Sequence, residues 1–213
     1  VIKPGFSKNA AQVRWVKKDP RDLPAGEGGV PGQKDRQEKL VRLRMAINYK
    51  PKNKHVAFLQ FPLLVTKKIL ALLNGKKCIS SIDLTKSFYQ IEVTEQTSKD
   101  FAFEAGGKLY LHQGLMMGGK SSQQILCRCL TNTLTGCEAF AIAYSDNILV
   151  MSPDPATHLE HLEMVMAALE NHGWKISPNK SHFMARENLH IFGFFVDIER
   201  GRVYSDPEKR RKL

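Results

Sequence analysis

Two aspartates occupy positions where a carboxylate is costly. Asp83 closes the apolar run Cys78–Ile82, and Asp146 sits in the short turn Ser145-Asp146-Asn147 between the apolar segments Ala139–Tyr144 and Ile148–Met151. A carboxylate at the edge of a buried strand has to be solvated, paired or bound to a cation. Two of them, brought together from different strands, could hold a divalent ion; Mg²⁺ is ordinarily held by one or two carboxylates plus substrate phosphates rather than by an all-protein cage. The residues alone leave both readings open, a metal-binding pair or two exposed turn aspartates. His158 and His161 stand three apart in Thr157–His172 without a third ligand, so they are expected as helix-surface histidines rather than a zinc site.

The elements that would position these groups follow from apolar periodicity. Ala11–Val16 and Val41–Ile47 alternate as the two strands of a hairpin, and residues 17–39, rich in charge, Gly and Pro, are expected as its exposed loop or extended tip. Phe61–Leu73 places Leu63, Leu64, Ile69, Leu70 and Leu73 on one helical face. Cys78–Leu84, Phe88–Val93 and Phe101–Phe103 read as strands, and Gln123–Leu134 as a helix. Ala139–Tyr144 and Ile148–Ser152 read as two apolar strands. Thr157–His172 reads as an amphipathic helix with Leu159, Leu162, Val165, Met166 and Leu169 on its apolar side, and Ile191–Val196 as a final buried strand. This alternation, without a glycine-rich phosphate loop, predicts an α+β fold with a mainly antiparallel sheet.

The 213 residues are 42% hydrophobic and 25% charged, which fits a globular chain with a sizeable core and excludes a collagen-like or low-complexity one. No apolar run reaches the roughly 18 residues of a membrane span. The net charge of +11 is unevenly placed: residues 1–77 hold 18 Lys+Arg against 5 Asp+Glu, whereas residues 78–213 hold 14 against 16. A basic first third points to a phosphate-rich partner or to a merely solubilising surface. Cys78, Cys127, Cys129 and Cys137 lack both a disulfide framework and zinc-ligand spacing, and are expected as reduced thiols of an intracellular protein that is not secreted. There is no signal-peptide pattern and no initiator Met, which suggests a piece of a longer chain.

Seven stretches, in order and covering about two thirds of the chain, carry a resemblance: RMAINYKPKNK (44–54), ISSIDLTKSFYQIEV (79–93), KDFAFEA (99–105), LHQGLMMGGKSSQQ (111–124), AYSDNILVMS (143–152), HLEHLEMVMAALENHGWKISPNKSHF (158–183) and IFGFFVD (191–197). Together they resemble the fingers and palm of the reverse transcriptases of LTR retroelements, retroviruses and plant-type pararetroviruses. The resemblance implies an α+β polymerase palm, about residues 78–97 and 139–213, with an inserted fingers region, about 1–77 and 98–138, and with the family's thumb and RNase H regions absent. It implies two Mg²⁺ ions, with Mn²⁺ as a substitute, held by Asp83, the Leu84 carbonyl, Asp146 and Asn147. Lys180 lies where a lysine would protonate pyrophosphate. Arg44 and Gln113 would contact the incoming deoxynucleoside triphosphate, and Phe88 would lie under its sugar and reject a 2′-hydroxyl. Lys17, Lys18, Lys50 and Lys54 would meet a primer–template of RNA or DNA. No membrane partner is implied.

The departures from that pattern are as informative. Tyr144-Ser145-Asp146-Asn147 has an asparagine where the family has its second aspartate, so one negative charge is missing from the metal site. His112 and Gly119 stand where the family has prolines, and Ser122 where it has an aromatic ring, which is expected to loosen the loop that supports template and nucleotide. Two functions therefore follow: a template-directed DNA polymerase, impaired to some degree, or a catalytically degenerate domain retained as a nucleic-acid-binding or structural module.

Overall fold

The structure, a computed structural model, describes residues 2–5, 10–17, 43–61, 73, 75–185, 189–191, 194–197 and 202–205. In chain order these form β1 (Ile2–Pro4), β2 (Ala11–Lys17), β3 (Leu43–Asn48), α1 (Lys50–Asn53), β4 (Cys78–Asp83), a 3₁₀ turn (Ser87–Gln90), α2 (Glu95–Asp100), β5 (Phe103–Ala105), β6 (Lys108–His112), α3 (Ser122–Thr133), β7 (Ala141–Tyr144), β8 (Asn147–Ser152), α4 (Pro155–Asn171), a second 3₁₀ turn (Pro178–Lys180), β9 (His182–Ala185), β10 (Leu189–Ile191), β11 (Phe194–Asp197) and β12 (Arg202–Ser205). The fold is mixed α+β, as expected. The helix expected over Phe61–Leu73 and most of the 17–39 tip fall outside the described residues.

The chain divides into two compact units, residues 1–57 with 91–120 and residues 58–90 with 121–213. Residues 98–138 are expected together from the sequence; the observed division separates them at 120/121.

The first unit is a five-stranded sheet in the order β1-β6-β5-β2-β3. The two expected strands pair antiparallel as β2 and β3, with Gln12 opposite Asn48 and Lys17 opposite Leu43, and β2 joins β5 in a parallel pairing. The second unit contains a four-stranded antiparallel sheet, β7-β8-β4-β9. Ile148, Leu149 and Val150 of β8 are all fully buried, the mark of a strand covered on both faces rather than one that alternates. Helix α4 packs on β8 and β4, and α3 on β7. A separate three-stranded antiparallel sheet, β10-β11-β12, follows; the single strand expected over Ile191–Val196 is thus the junction of two.

Helix α4 begins two residues before the expected Thr157, as a capped helix. Asp154 accepts the Thr157 N–H at 3.0 Å, Pro155 stands at the first helical position, and Gly173 follows at φ +72. Its buried face keeps the expected Val165 and Leu169 but takes in His158 in place of Leu159. His158, Val165 and Leu169 point inward, whereas Leu159 is 56% exposed. His158, expected on the surface, is fully buried, because its ring is bonded at both nitrogens: Ser80 Oγ lies 2.7 Å from Nε2 and Ser152 Oγ 2.8 Å from Nδ1. Burial of a polar ring is tolerated when both nitrogens are so satisfied.

Candidate active site

Asp83 is the last residue of β4 and lies opposite Asn147, the first residue of β8. Asp146, one residue earlier, is bonded to the next residue of the other strand: Leu84 N–H donates to its carbonyl at 3.2 Å. The β7–β8 connection is a two-residue turn closed by Tyr144 opposite Asn147. Ser145, its first central residue, is at φ +57 and Asp146 is not in the positive region; a positive φ is one that glycine adopts at no steric cost. The sequence therefore brings Asp83, Leu84, Asp146 and Asn147 to one end of one sheet.

Electrostatics agree with this adjacency. Burial pushes the Asp83 carboxyl above the ordinary carboxylate range; Lys180 opposes that shift, and the charge of Asp146 adds to it. Lys180, exposed at the end of its 3₁₀ turn, is thus within electrostatic reach of Asp83. Among the described residues no group of three or more His, Cys, Asp and Glu could hold a metal ion, so a cation at this end of the sheet would rest on two carboxylates, one neutral amide and a backbone carbonyl. That donor set fits Mg²⁺, which keeps waters and shares phosphate oxygens, and a cation would offset the burial, and the lesser repulsion from Asp146, that raise Asp83.

A segment that composition does not single out ties the site together. Ser177 N–H donates to Asp83 O at 2.7 Å and Thr85 N–H to Lys175 O at 2.9 Å. These flank the bridge between Leu84 and Ile176, so the bridge leaves the Leu84 carbonyl out of its own bonding. Ser181 Oγ accepts Asp83 N–H at 3.0 Å and donates to Ser177 O at 2.8 Å. The small polar run around Pro178 was the available signal, since such residues bond local backbone in turns.

Phe88 is half-buried on the 3₁₀ turn Ser87–Gln90. The strand expected over Phe88–Val93 is absent there because the chain folds back after β4. Lys86 adopts φ +48, Tyr89 N–H donates to Lys86 O at 2.9 Å, and the Gln90 amide returns to Thr85 O at 2.7 Å.

The remaining expected residues belong to the first unit. Arg44 stands on β3 opposite Val16, and Lys17 on β2 opposite Leu43; Lys18 lies outside the described residues. Lys50 and Lys54 are exposed at the two ends of α1. Gln113 is exposed just beyond β6, and its carbonyl accepts Val93 N–H at 3.3 Å.

The loop that follows is better anchored than its missing prolines imply. His112 is 2% exposed; Tyr49 Oη lies 2.6 Å from its Nε2 and donates to Phe101 O at 3.1 Å, and Phe103 packs at 5.1 Å between ring centroids. Asn53 uses both ends of its amide, donating to Gly118 O at 2.9 Å and accepting Lys120 N–H at 3.0 Å. The expectation of a loosened loop is therefore corrected for these residues: a packed, bonded ring replaces one proline, and an amide clamp holds the segment beside Gly119. Ser122, the third departure, is itself buried as the first residue of α3.

Asp83 and Asp146 thus come to one end of an antiparallel sheet. Residues 33–196 match the family described as reverse transcriptase (RNA-dependent DNA polymerase). The chain belongs to that family. It is 32% identical over 144 residues to polyprotein P3 of Commelina yellow mottle virus, covering 68% of this chain and 8% of that polyprotein. It is 26% identical over 165 residues to the enzymatic polyprotein of figwort mosaic virus (strain DxS), 78% of this chain and 25% of the other. The retrovirus-related Pol polyprotein from transposon opus of Drosophila melanogaster is 26% identical over 214 residues, 100% of this chain and 20% of the other. The chain thus spans a quarter or less of these relatives. A solved foamy viral protease-reverse transcriptase in complex with RNA/DNA hybrid shares the fold, with a TM-score of 0.79 and 22% identity over 100% of this chain and 25% of that one. Among the described residues no helix is long and apolar enough to cross a membrane.

Proposed function

We propose that this chain is the fingers and palm of a template-directed DNA polymerase, the first unit serving as fingers and the second as palm. The observation that carries this reading is the register of β4 and β8, which sets Asp83 against Asn147 with Asp146 beside them. Asp83, the Leu84 carbonyl, Asp146 and Asn147 would hold two Mg²⁺, or Mn²⁺ in their place. When bound, these ions activate a primer 3′-hydroxyl and take up charge on the leaving pyrophosphate. The 3′-oxygen would form its bond to the α-phosphorus as the α–β phosphoanhydride breaks. Lys180 supplies positive charge, and a proton, to the pyrophosphate oxygen. Arg44 would pack on the triphosphate with a planar, permanently charged fork, and Gln113 would meet the sugar. Phe88 would exclude a 2′-hydroxyl by occupying its space. Lys17, Lys18, Lys50 and Lys54 would contact primer–template phosphates, in keeping with the concentration of positive charge in residues 1–77. The foamy viral relative whose structure contains an RNA/DNA hybrid supports a hybrid or duplex as the partner.

Asn147 supports a second reading, a degenerate domain that binds nucleic acid without turnover. Primer extension with Mg²⁺ separates the two. Weak extension that disappears with Asp83→Ala and with Asp146→Ala supports the polymerase; salt-sensitive primer–template binding with no extension under any metal supports the module. Family-like extension indifferent to both alanine variants overturns the site.

A further inference from the structure

Gln90 is absent from every role assigned so far, yet its side-chain amide is used at both ends. Nε2 donates to Thr85 O at 2.7 Å and to Lys175 O at 3.0 Å, and Oε1 accepts Lys175 N–H at 2.7 Å. Two of these bonds join residues 85 apart in sequence. They close a short circuit: Thr85 N–H itself donates to Lys175 O at 2.9 Å, and Thr85 Oγ1 to Ile176 O at 2.9 Å. Within that circuit Lys86 is held at φ +48, a conformation that L residues adopt only when their surroundings fix it. Phe88 rides on the same turn, five residues after Asp83.

We infer that Gln90 is a positioning residue that sets Phe88 against the Asp83–Leu84 end of β4, and through it sets how strictly a ribonucleotide is rejected. The inference rests on the proposed role of Phe88. A gate that works by occupying space discriminates only if its ring cannot retreat. The ring's base is a turn with one strained residue and few local bonds, and Gln90 links that turn to the Lys175–Ile176 segment that is already bridged to Leu84. A hydrophobic residue of similar size would fill the same space and lose all three bonds. Glutamate would keep the acceptor for Lys175 N–H but set a carboxylate oxygen against two carbonyls.

The test uses the full chain with Gln90→Leu, Gln90→Glu and Phe88→Ala, each checked for cooperative unfolding well above the assay temperature. Amide hydrogen exchange reads the clamp. Gln90→Leu should speed exchange of the Lys175 amide by about tenfold, the scale of one lost hydrogen bond, while Leu149 and Val150 amides stay as in the parent; Gln90→Glu should restore that protection. Unchanged Lys175 exchange in Gln90→Leu overturns the clamp. Discrimination is read without turnover, by equilibrium dialysis of dUTP and UTP, which differ only at the 2′ position, against the protein with Mg²⁺ and a dideoxy-terminated primer–template whose next template base is adenine. Both Gln90 variants should lower the dUTP-to-UTP affinity ratio by about tenfold, and adding Phe88→Ala should lower it no further. If Phe88→Ala lowers the ratio and the Gln90 variants leave it alone, the positioning role is wrong and the gate stands. If Phe88→Ala leaves it alone, or the parent binds neither nucleotide, the gate reading falls and the specificity role of Gln90 with it.

Discussion

Asp83 faces Asn147 directly across the β4–β8 ladder, so the residue best placed to share a cation with Asp83 and Asp146 is a neutral amide. An amide oxygen can ligate Mg²⁺ but does not attract it through charge. Replacing it by a carboxylate restores one unit of charge within a strand spacing of Asp83. Asn147→Asp should therefore tighten Mg²⁺ binding by about tenfold or more, equivalent to about 1.4 kcal/mol, and raise primer extension with it. Titration calorimetry reads the first and single-turnover extension the second. Weaker metal binding in the aspartate variant would mean that Asn147 does not face the ion.

The same geometry predicts a stability cost that metal removes. The Asp83 carboxyl is raised chiefly by burial, with Lys180 opposing and Asp146 reinforcing. Its folded pKa exceeds its unfolded one, so the folded state loses stability as pH rises through the shifted value and is relieved of that loss below the ordinary carboxylate range. Asp83→Asn, in chelator, should raise the midpoint of thermal unfolding at pH 7, by about 2–4 °C for each kcal/mol recovered in a chain of this size. The gain should shrink as pH is lowered toward 4. A midpoint that falls at pH 7 would show that Asp83 is held by favourable partners instead.

The two aspartates were legible because a charged residue ending an apolar strand has few physical explanations, and the Tyr144–Asn147 turn because two apolar runs frame it. Where the reading failed, the missing information was long-range. Periodicity chose Leu159 over His158 for the inward face of α4, since nothing local indicates that Ser80, 78 residues away, offers the imidazole a partner. Phe88–Val93 looks like a strand by composition, but Lys86 turns the chain before a ladder can form. His112 reads as a lost proline until Tyr49, 63 residues earlier, is seen to hold its ring. Short strands such as β1 and β9 carry too few residues for alternation to show.

Ser145 carries the backbone strain of the β7–β8 turn at φ +57. A non-glycine residue there costs about 1–2 kcal/mol, and a β-branched one more. Ser145→Gly removes the strain but loosens the unfolded chain, so the two effects offset to within about 1 kcal/mol. Ser145→Val should destabilise by about 2 kcal/mol or more. Urea unfolding of both variants checks the pair. Equal stability would show that the turn relaxes to another form, and the register that places Asp146 beside Leu84 would then not be fixed by the backbone.

Buried histidines should make the protein acid-sensitive above the range where carboxylates titrate. Burial lowers the His112 pKa from 6.5 to about 4, so the folded state keeps the ring neutral while the unfolded chain takes up a proton near pH 6.5. Between those values the unfolded state binds more protons, and stability falls as pH falls, by up to about 1.4 kcal/mol for each pH unit. His158, lowered by burial first and by His161 second, adds to the slope with the same sign. His112→Phe keeps a ring against Phe103 and leaves Tyr49 its bond to Phe101 O. The variant should lose stability at pH 7 through the missing Nε2 contact, yet show a shallower decline between pH 6.5 and 5 than the parent, with His158 providing what remains. Urea unfolding at three pH values in that window measures both. A slope unchanged by the substitution would mean that His112 gains its proton without opening the Tyr49–Phe101–Phe103 cluster, and that the first unit tolerates a charged ring where the family's proline would stand.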